Sequence, residues 1–258
     1  MCIILFAFKA HPFYDLVLAA NRDEYFSRPT LRAAFWEEES NILAGRDLLG
    51  GGTWLGVTRS GRYAAVTNFR DPAIIKKAAP SRGLLVSNFL RDEQNPADYI
   101  AKLTRTSDSH DGFNLIVGDR SGLYYYSNRD ERIRVLTPGI YGLSNHLLDT
   151  PWLKVEKGKQ TLAEIIGQGI EIVSETVFKI LADHEQADDA RLPKTGISLE
   201  FERALSPIFI STPVYGTRSS TLLLIDKSGN ITFTERTFEA GERAADEAFE
   251  FERERGVV

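Results

Sequence analysis

One cysteine, one methionine and four histidines are all that 258 residues contain of those types, and each scarcity excludes something. The lone Cys2 makes no internal disulfide, so nothing points to an oxidising compartment and a cytoplasmic location is expected. His11, His110, His146 and His184 are scattered along the chain without the close spacing of a zinc site, and no serine-centred nucleophile elbow is present. Neither a metal nor a cofactor is expected. Long apolar runs are missing too: the stretch around residues 3–8 is far shorter than the roughly 18–20 residues that a membrane span needs. It does not read as a secretory signal, because the apolar stretch starts at position 2 and runs into Lys9, His11, Pro12 and Asp15. The net charge of −5 comes without any long basic block, which argues against nucleic acid as a partner, since phosphate binding needs clustered Lys and Arg.

What remains is a chain that is 43% apolar, enough to bury one core over residues 1–258. Two continuous apolar runs, residues 2–8 and 16–21, predict a hairpin about His11-Pro12, with both strands buried on both faces inside a layered fold. Gly50–Gly52 predict a sharp bend or a close approach, followed by a second hairpin of residues 54–58 and 63–68. No helix with a Lys-Ser or Lys-Thr pair follows these glycines, so they are not a phosphate loop. Apolar stripes predict helices over 81–90 and 96–104, the latter capped by Asn95 with Pro96 at its first turn. Strands are expected at 113–118, 123–127, 133–136 and 140–143, helices at 152–166 and 170–183, and a polar linker at 185–195. A last hairpin joins 220–226 to 231–236. The alternating acids and bases of 239–255 predict a solvated tail or an edge strand rather than an interaction surface. Blocks of antiparallel hairpins alternating with helix pairs fit an α+β fold, specifically a four-layer αββα sandwich with two stacked, mainly antiparallel sheets.

Cys2 is the most site-like residue. Loss of the initiator methionine would leave its thiol beside a free α-amine, whose ordinary pKa of about 7.7–8.0 suits a general base. Nucleophile and base would then share one residue. Asn21-Arg22-Asp23-Glu24 is expected to end the second strand near Cys2, where Asp23 would hold the α-ammonium and Arg22 would favour the thiolate. Asn68 and Asn145, at strand ends, are candidate oxyanion donors. Arg218 is a candidate source of positive charge, although each of these polar residues also suits a turn or a cap.

The same residues resemble a known family. Asn21-Arg22-Asp23-Glu24 is the signature of the NRDE-domain family, also called the transport and Golgi organisation protein two family. Arg28-Pro29, the block from Gly51 to Val57, Thr67 to Arg70, Ser81 to Gly83, Tyr141 to Asn145, Pro151-Trp152 and Tyr215 to Arg218 resemble its other blocks. That family is in turn similar to N-terminal-nucleophile hydrolases of the bile-salt hydrolase and penicillin V acylase type. The resemblance implies the αββα fold and cleavage of a linear amide. It also implies Cys2 as nucleophile, Asp23 near its amine, Asn68 and Asn145 at the oxyanion and Arg218 as the late arginine. Those hydrolases carry an arginine three residues before their aspartate, where this chain has Ala20. The available guanidinium is Arg22, and neighbours in a strand face opposite ways, so Arg22 and Asp23 are not both expected to face the thiol without a bulge.

The expected partner is therefore a small-molecule amide, cleaved by a cysteine-dependent amidohydrolase. The alternative carried by the resemblance is a binding or trafficking protein for haem or an apolar lipid or acyl ligand, with His11 or His146 the only imidazoles singled out for iron. No haem-attachment Cys-x-x-Cys-His stands in the chain.

Overall fold

Cys2–Phe8 (β1) and Tyr14–Tyr25 (β2) pair antiparallel in a computed structural model that describes residues 2–72, 76, 79–239 and 241–254. Alternate side chains of both strands enter two different apolar layers, which is why their sequences read as unbroken apolar runs. Ile4, Phe6 and Leu18 face a second sheet, whereas Ile3, Leu5 and Val17 face helices.

The remaining elements are Thr30–Phe35 (β3), Ile42–Asp47 (β4), Leu55–Thr58 (β5), Tyr63–Asn68 (β6), Gly83–Arg91 (α1), Pro96–Leu103 (α2), Phe113–Asp119 (β7), Gly122–Ser127 (β8), Arg134–Leu136 (β9) and Gly139–Leu143 (β10). They continue with Leu153–Gly167 (α3), Ser174–Leu181 (α4), Leu199–Ala204 (α5), Tyr215–Asp226 (β11), Asn230–Glu239 (β12) and Glu242–Glu252 (β13). One sheet runs β10-β1-β2-β11-β12-β13 and the other β3-β4-β5-β6-β7-β8-β9, with every pairing antiparallel. Between the sheets lie Phe6, Leu18, Leu55, Ile116, Tyr125 and Leu223. Helices α3 and α4 cover the first sheet through Leu162, Val177 and Phe178, and α1 and α2 cover the second through Val86, Phe89 and Ile100. The fold is an αββα sandwich, α+β in class, as expected. No helix among the described residues is long and apolar enough to cross a membrane.

Several boundaries move. β2 does not end at Asn21 but continues to Tyr25, because β11 starts at Tyr215 and pairs with its polar end: Tyr215 lies opposite Tyr25 and Thr217 opposite Asp23. Arg218, expected ahead of the late hairpin, therefore stands inside β11, at a bulge between Thr217 and Ser219. The helix expected over 170–183 shrinks to α4, since Ile170 and Val173 are exposed. The polar segment 185–195 contains a turn of 3₁₀ helix at Asp189–Arg191. The charged C-terminal stretch forms the edge strand β13, and residues 255–258 lie outside the described residues.

The glycine triplet does both things that were expected of it. Gly51 has φ +74°, in the left-handed region, while a Cβ on Gly52 would lie 2.3 Å from the Gly83 carbonyl carbon. Backbone meets backbone there, so nothing can swing aside. Gly52→Ala is expected to lower stability by roughly 2–3 kcal/mol, read as a lower urea midpoint at unchanged slope; a midpoint within error of the parent would contradict this close approach.

Candidate active site

The start of β1, the polar end of β2 and the end of β6 meet at one open end of the sandwich. Together with the glycine loop and the residues leading into α1 they wall a cleft of about 520 Å³. Cys2, Arg22, Asp23, Trp54, Asn68 and Arg82 all line it.

Antiparallel register sets the geometry about Cys2. Arg22 lies directly opposite Cys2, and cross-strand partners project to the same face. Its guanidinium stacks 4.3 Å from the Trp54 ring, which rises from the other sheet. The side chain is 5% exposed, and Nη1 is buried without a hydrogen-bond partner among the described residues. Asp23 is one residue further along, on the amine side of Cys2, and Thr217 Oγ1 donates to its Oδ1 at 2.7 Å. Alternation thus separates the two groups: Arg22 shares a face of the sheet with Cys2 and Asp23 points the other way. The hydroxyl of Tyr215 donates to the Asp23 carbonyl at 2.8 Å and fixes the strand end.

Electrostatics follow from burial. Desolvation pushes the Cys2 thiol up, with Asp23 adding to it and Arg22 opposing. Asp23 is pushed up to about 6 by burial, against the pull of Lys154, Thr217 and Arg22. Burial lowers Lys154 to about 8, while Asp23 holds it up. This lysine comes from α3, is 3% exposed and donates from Nζ to the Leu205 carbonyl at 2.9 Å. A thiol of this kind is protonated at neutral pH and needs a base.

The other expected residues fall at different depths. Asn68 lines the cleft. Asn145 is fully buried behind it, donating from Nδ2 to the Asn68 carbonyl at 3.0 Å and accepting the Arg70 amide on its own carbonyl at 2.7 Å. Ser144, its neighbour, donates from Oγ to the Cys2 carbonyl at 3.1 Å, and its carbonyl accepts from Thr67 Oγ1 at 2.6 Å. The segment 144–145 therefore ties β1 to β6 beneath the cleft. Arg218 is placed elsewhere. Its Nη1 donates to the carbonyls of Tyr25, Phe26 and Arg28, and it lines a smaller neighbouring pocket with Arg22 and Glu235 rather than the Cys2 cleft.

Sequence reasoning gave no role to Trp54, Arg82, Lys154 or the pair Arg28–Asp47. Asp47 shapes the glycine wall: Oδ2 accepts Arg28 Nε and Nη2 at 2.9 and 2.7 Å, and Oδ1 accepts the amides of Leu49 and Gly50 at 3.0 Å each. Arg82 donates to the Gly112 carbonyl at 3.2 Å, and burial lowers its pKa. The family-like blocks Gly51–Val57 and Ser81–Gly83 were the available signal for Trp54 and Arg82. For Lys154 there was none, since a lysine in a helix ordinarily reads as solvent-exposed. Among the described residues no group of His, Cys, Asp and Glu is arranged to hold a metal.

Comparison with known proteins identifies the family and the fold. The profile of the Transport and Golgi organisation 2 family matches residues 1–240. The Transport and Golgi organization protein 2 homolog of Bos taurus is 40% identical over 257 residues, covering 92% of this chain and 93% of the relative. The Drosophila melanogaster Transport and Golgi organization protein 2 is 29% identical over 265 residues, covering 92% of each. Two solved structures share the fold. The Caenorhabditis elegans N-acylethanolamine-hydrolyzing acid amidase ortholog has a TM-score of 0.52 at 10% identity, covering 86% of this chain and 92% of its own. A conjugated bile acid hydrolase from Clostridium perfringens has a TM-score of 0.52 at 9% identity, covering 100% and 99%.

Proposed function

The chain belongs to the Transport and Golgi organisation 2 family, and from that premise we propose that it is a cysteine-dependent hydrolase of small linear amides, with Cys2 as the nucleophile. The observation that carries this reading is the register that sets Cys2 against Arg22 with Asp23 one step beyond, in the wall of a cleft. Fold neighbours whose names describe hydrolysis of an N-acylethanolamine or a conjugated bile acid support the reaction class.

Removal of Met1 exposes the α-amine of Cys2. The amine takes the thiol proton, sulfur attacks the amide carbonyl carbon, and the carbonyl π electrons move onto oxygen. Asn68 donates to that oxygen, with Asn145 holding the Asn68 main chain in place. The C–N bond then breaks, the α-ammonium protonates the departing nitrogen, and the thioester left on sulfur is hydrolysed by water. Arg22 favours the thiolate, and Asp23 favours the ammonium. Arg218 supports the loop after β2 rather than the reacting atoms. Arg22, Asp23, Glu24, Arg28, Arg82 and Asp111 line the cleft beside Trp54, Val66 and Leu84, which favours an amide with polar and apolar parts over a wholly apolar ligand.

Intact-mass measurement of untagged protein from its own cell should find Met1 absent, and incubation with N-acyl amides should add one acyl mass on Cys2. Active protein that retains Met1 would falsify the self-activated mechanism.

A further inference from the structure

At the opposite end of the same strands, about 20 Å along β1 from Cys2, lies a second cavity of about 290 Å³. Turns from both sheets converge on it: Lys9 follows β1, Arg120 joins β7 to β8, Lys227 joins β11 to β12, and Arg253 follows β13. In a chain of net charge −5 these four cations share one mouth, and none of them forms an ion pair among the described residues. Two carboxylates also line the cavity. That of Asp119 is engaged by Arg62 Nη1 at 3.4 Å and by the Ser121 amide and hydroxyl at 2.7 and 2.6 Å, which leaves Asp15 as the acid without an ion pair.

The cavity is built rather than incidental. Arg253 lies against Gly61 and Gly229, where a Cβ would meet its Cδ at 2.6 Å and its Nη2 at 3.3 Å. Its amide donates to the Gly229 carbonyl at 2.8 Å. Lys9 holds φ +47°, a left-handed conformation uncommon for lysine. Tyr63 contributes from the core: it is 4% exposed, lines the cavity, and its hydroxyl has no hydrogen-bond partner among the described residues. That hydroxyl is not sealed from solvent, so it is open to an acceptor placed in the cavity.

We propose that this cavity binds a small soluble phosphate ester, its phosphoryl oxygens neutralised by Lys9, Arg120, Lys227 and Arg253 and accepting from the Tyr63 hydroxyl, while Asp15 accepts from a hydroxyl of the organic part. Clustered cations give such a site strength at low ionic strength and weaken it as salt screens them. The proposal is independent of amide hydrolysis at Cys2.

Titration calorimetry with inorganic pyrophosphate at low salt tests it. Saturable one-to-one binding is expected, weakened at least tenfold in the double variant R120E/K227E, whose exposed positions leave the melting temperature unchanged. Tyr63→Phe, which keeps the ring, is expected to weaken binding about threefold to tenfold, and Cys2→Ala to leave it unaltered. No saturable binding, or binding indifferent to these substitutions, overturns the proposal. So does co-sedimentation with phosphatidic acid vesicles that pyrophosphate does not compete, which would assign the cations to a lipid surface.

Discussion

Turnover of N-acyl amides is expected to fall by about three orders of magnitude or more when Cys2 is replaced by alanine, with the far-ultraviolet spectrum and melting temperature unchanged. The loss is large because the thiol is the bond-forming atom and the hydroxyls that line the cleft, those of Thr53 and Ser81, have no imidazole there to activate them, since the histidines lie outside the lining. The fold tolerates the change because Cys2 contributes main-chain pairing to Arg22 and accepts Ser144 Oγ on its carbonyl, and alanine keeps both. Cys2→Ser separates nucleophile from scaffold, since it restores shape with a poorer nucleophile. Activity surviving in the alanine variant would sink the hydrolase reading.

The second large effect lies in a buried ion pair behind the cleft. Arg70 Nη1 meets Glu202 Oε2 at 2.6 Å with side-chain exposures of 7% and 3%. The guanidinium also stacks 4.9 Å from Trp152. Glu202 Oε1 accepts the Thr195 amide at 3.0 Å and its hydroxyl at 2.6 Å. One carboxylate thereby ties the end of β6 to the segment before α5. Glu202→Ala removes the carboxylate hydrogen-bonded to a buried guanidinium and is expected to cost roughly 3–5 kcal/mol, or roughly 10 °C in melting temperature for a chain of this length. Double substitution of Arg70 and Glu202 by apolar residues of similar size should recover much of that loss, because it removes both buried charges together. A single variant that loses less than about 1 kcal/mol would show that solvent reaches the pair.

How far these features could be read from letters depends on how local their causes are. β1, β2, β6 and β7 were legible because strands covered on both faces spell continuous apolar runs. β3 and β4 were not expected. β3 lies at the edge of its sheet with a bulge between Leu31 and Ala34, which breaks the alternation. β4 carries Gly45 because the Trp54 ring occupies the place of a side chain, 2.3 Å from where a Cβ would be. A glycine in that position reads as a turn.

The same contrast holds for the site. The polar run from Asn21 to Glu24 suggested a strand end, yet distant β11 extends the strand and carries Asn21 into the helix-facing layer, where its amide donates to the carbonyls of Leu181 and Ile208 at 2.8 and 3.0 Å. Proximity of Cys2 to Asn21–Glu24 followed from a hairpin and was legible. The roles expected of Arg22 and Asp23 followed from that proximity and from the resemblance, whereas the pairing of Arg22 directly opposite Cys2 required the register itself. Lys154 and Glu202 reach the site from helices more than 130 residues away in the chain, and no local pattern announces them.

The outermost strand of the first sheet has a further consequence. β13 carries Glu242, Asp246, Glu247, Glu250 and Glu252 beside a single arginine, Arg243, and Arg236, Arg243 and Asp246 make a charged cluster across it and β12. An open row of amides and carbonyls is a template on which another chain can polymerise, but adding a strand here would press like charges together without solvent between them. The edge of the first sheet thus carries its own protection against fibril growth.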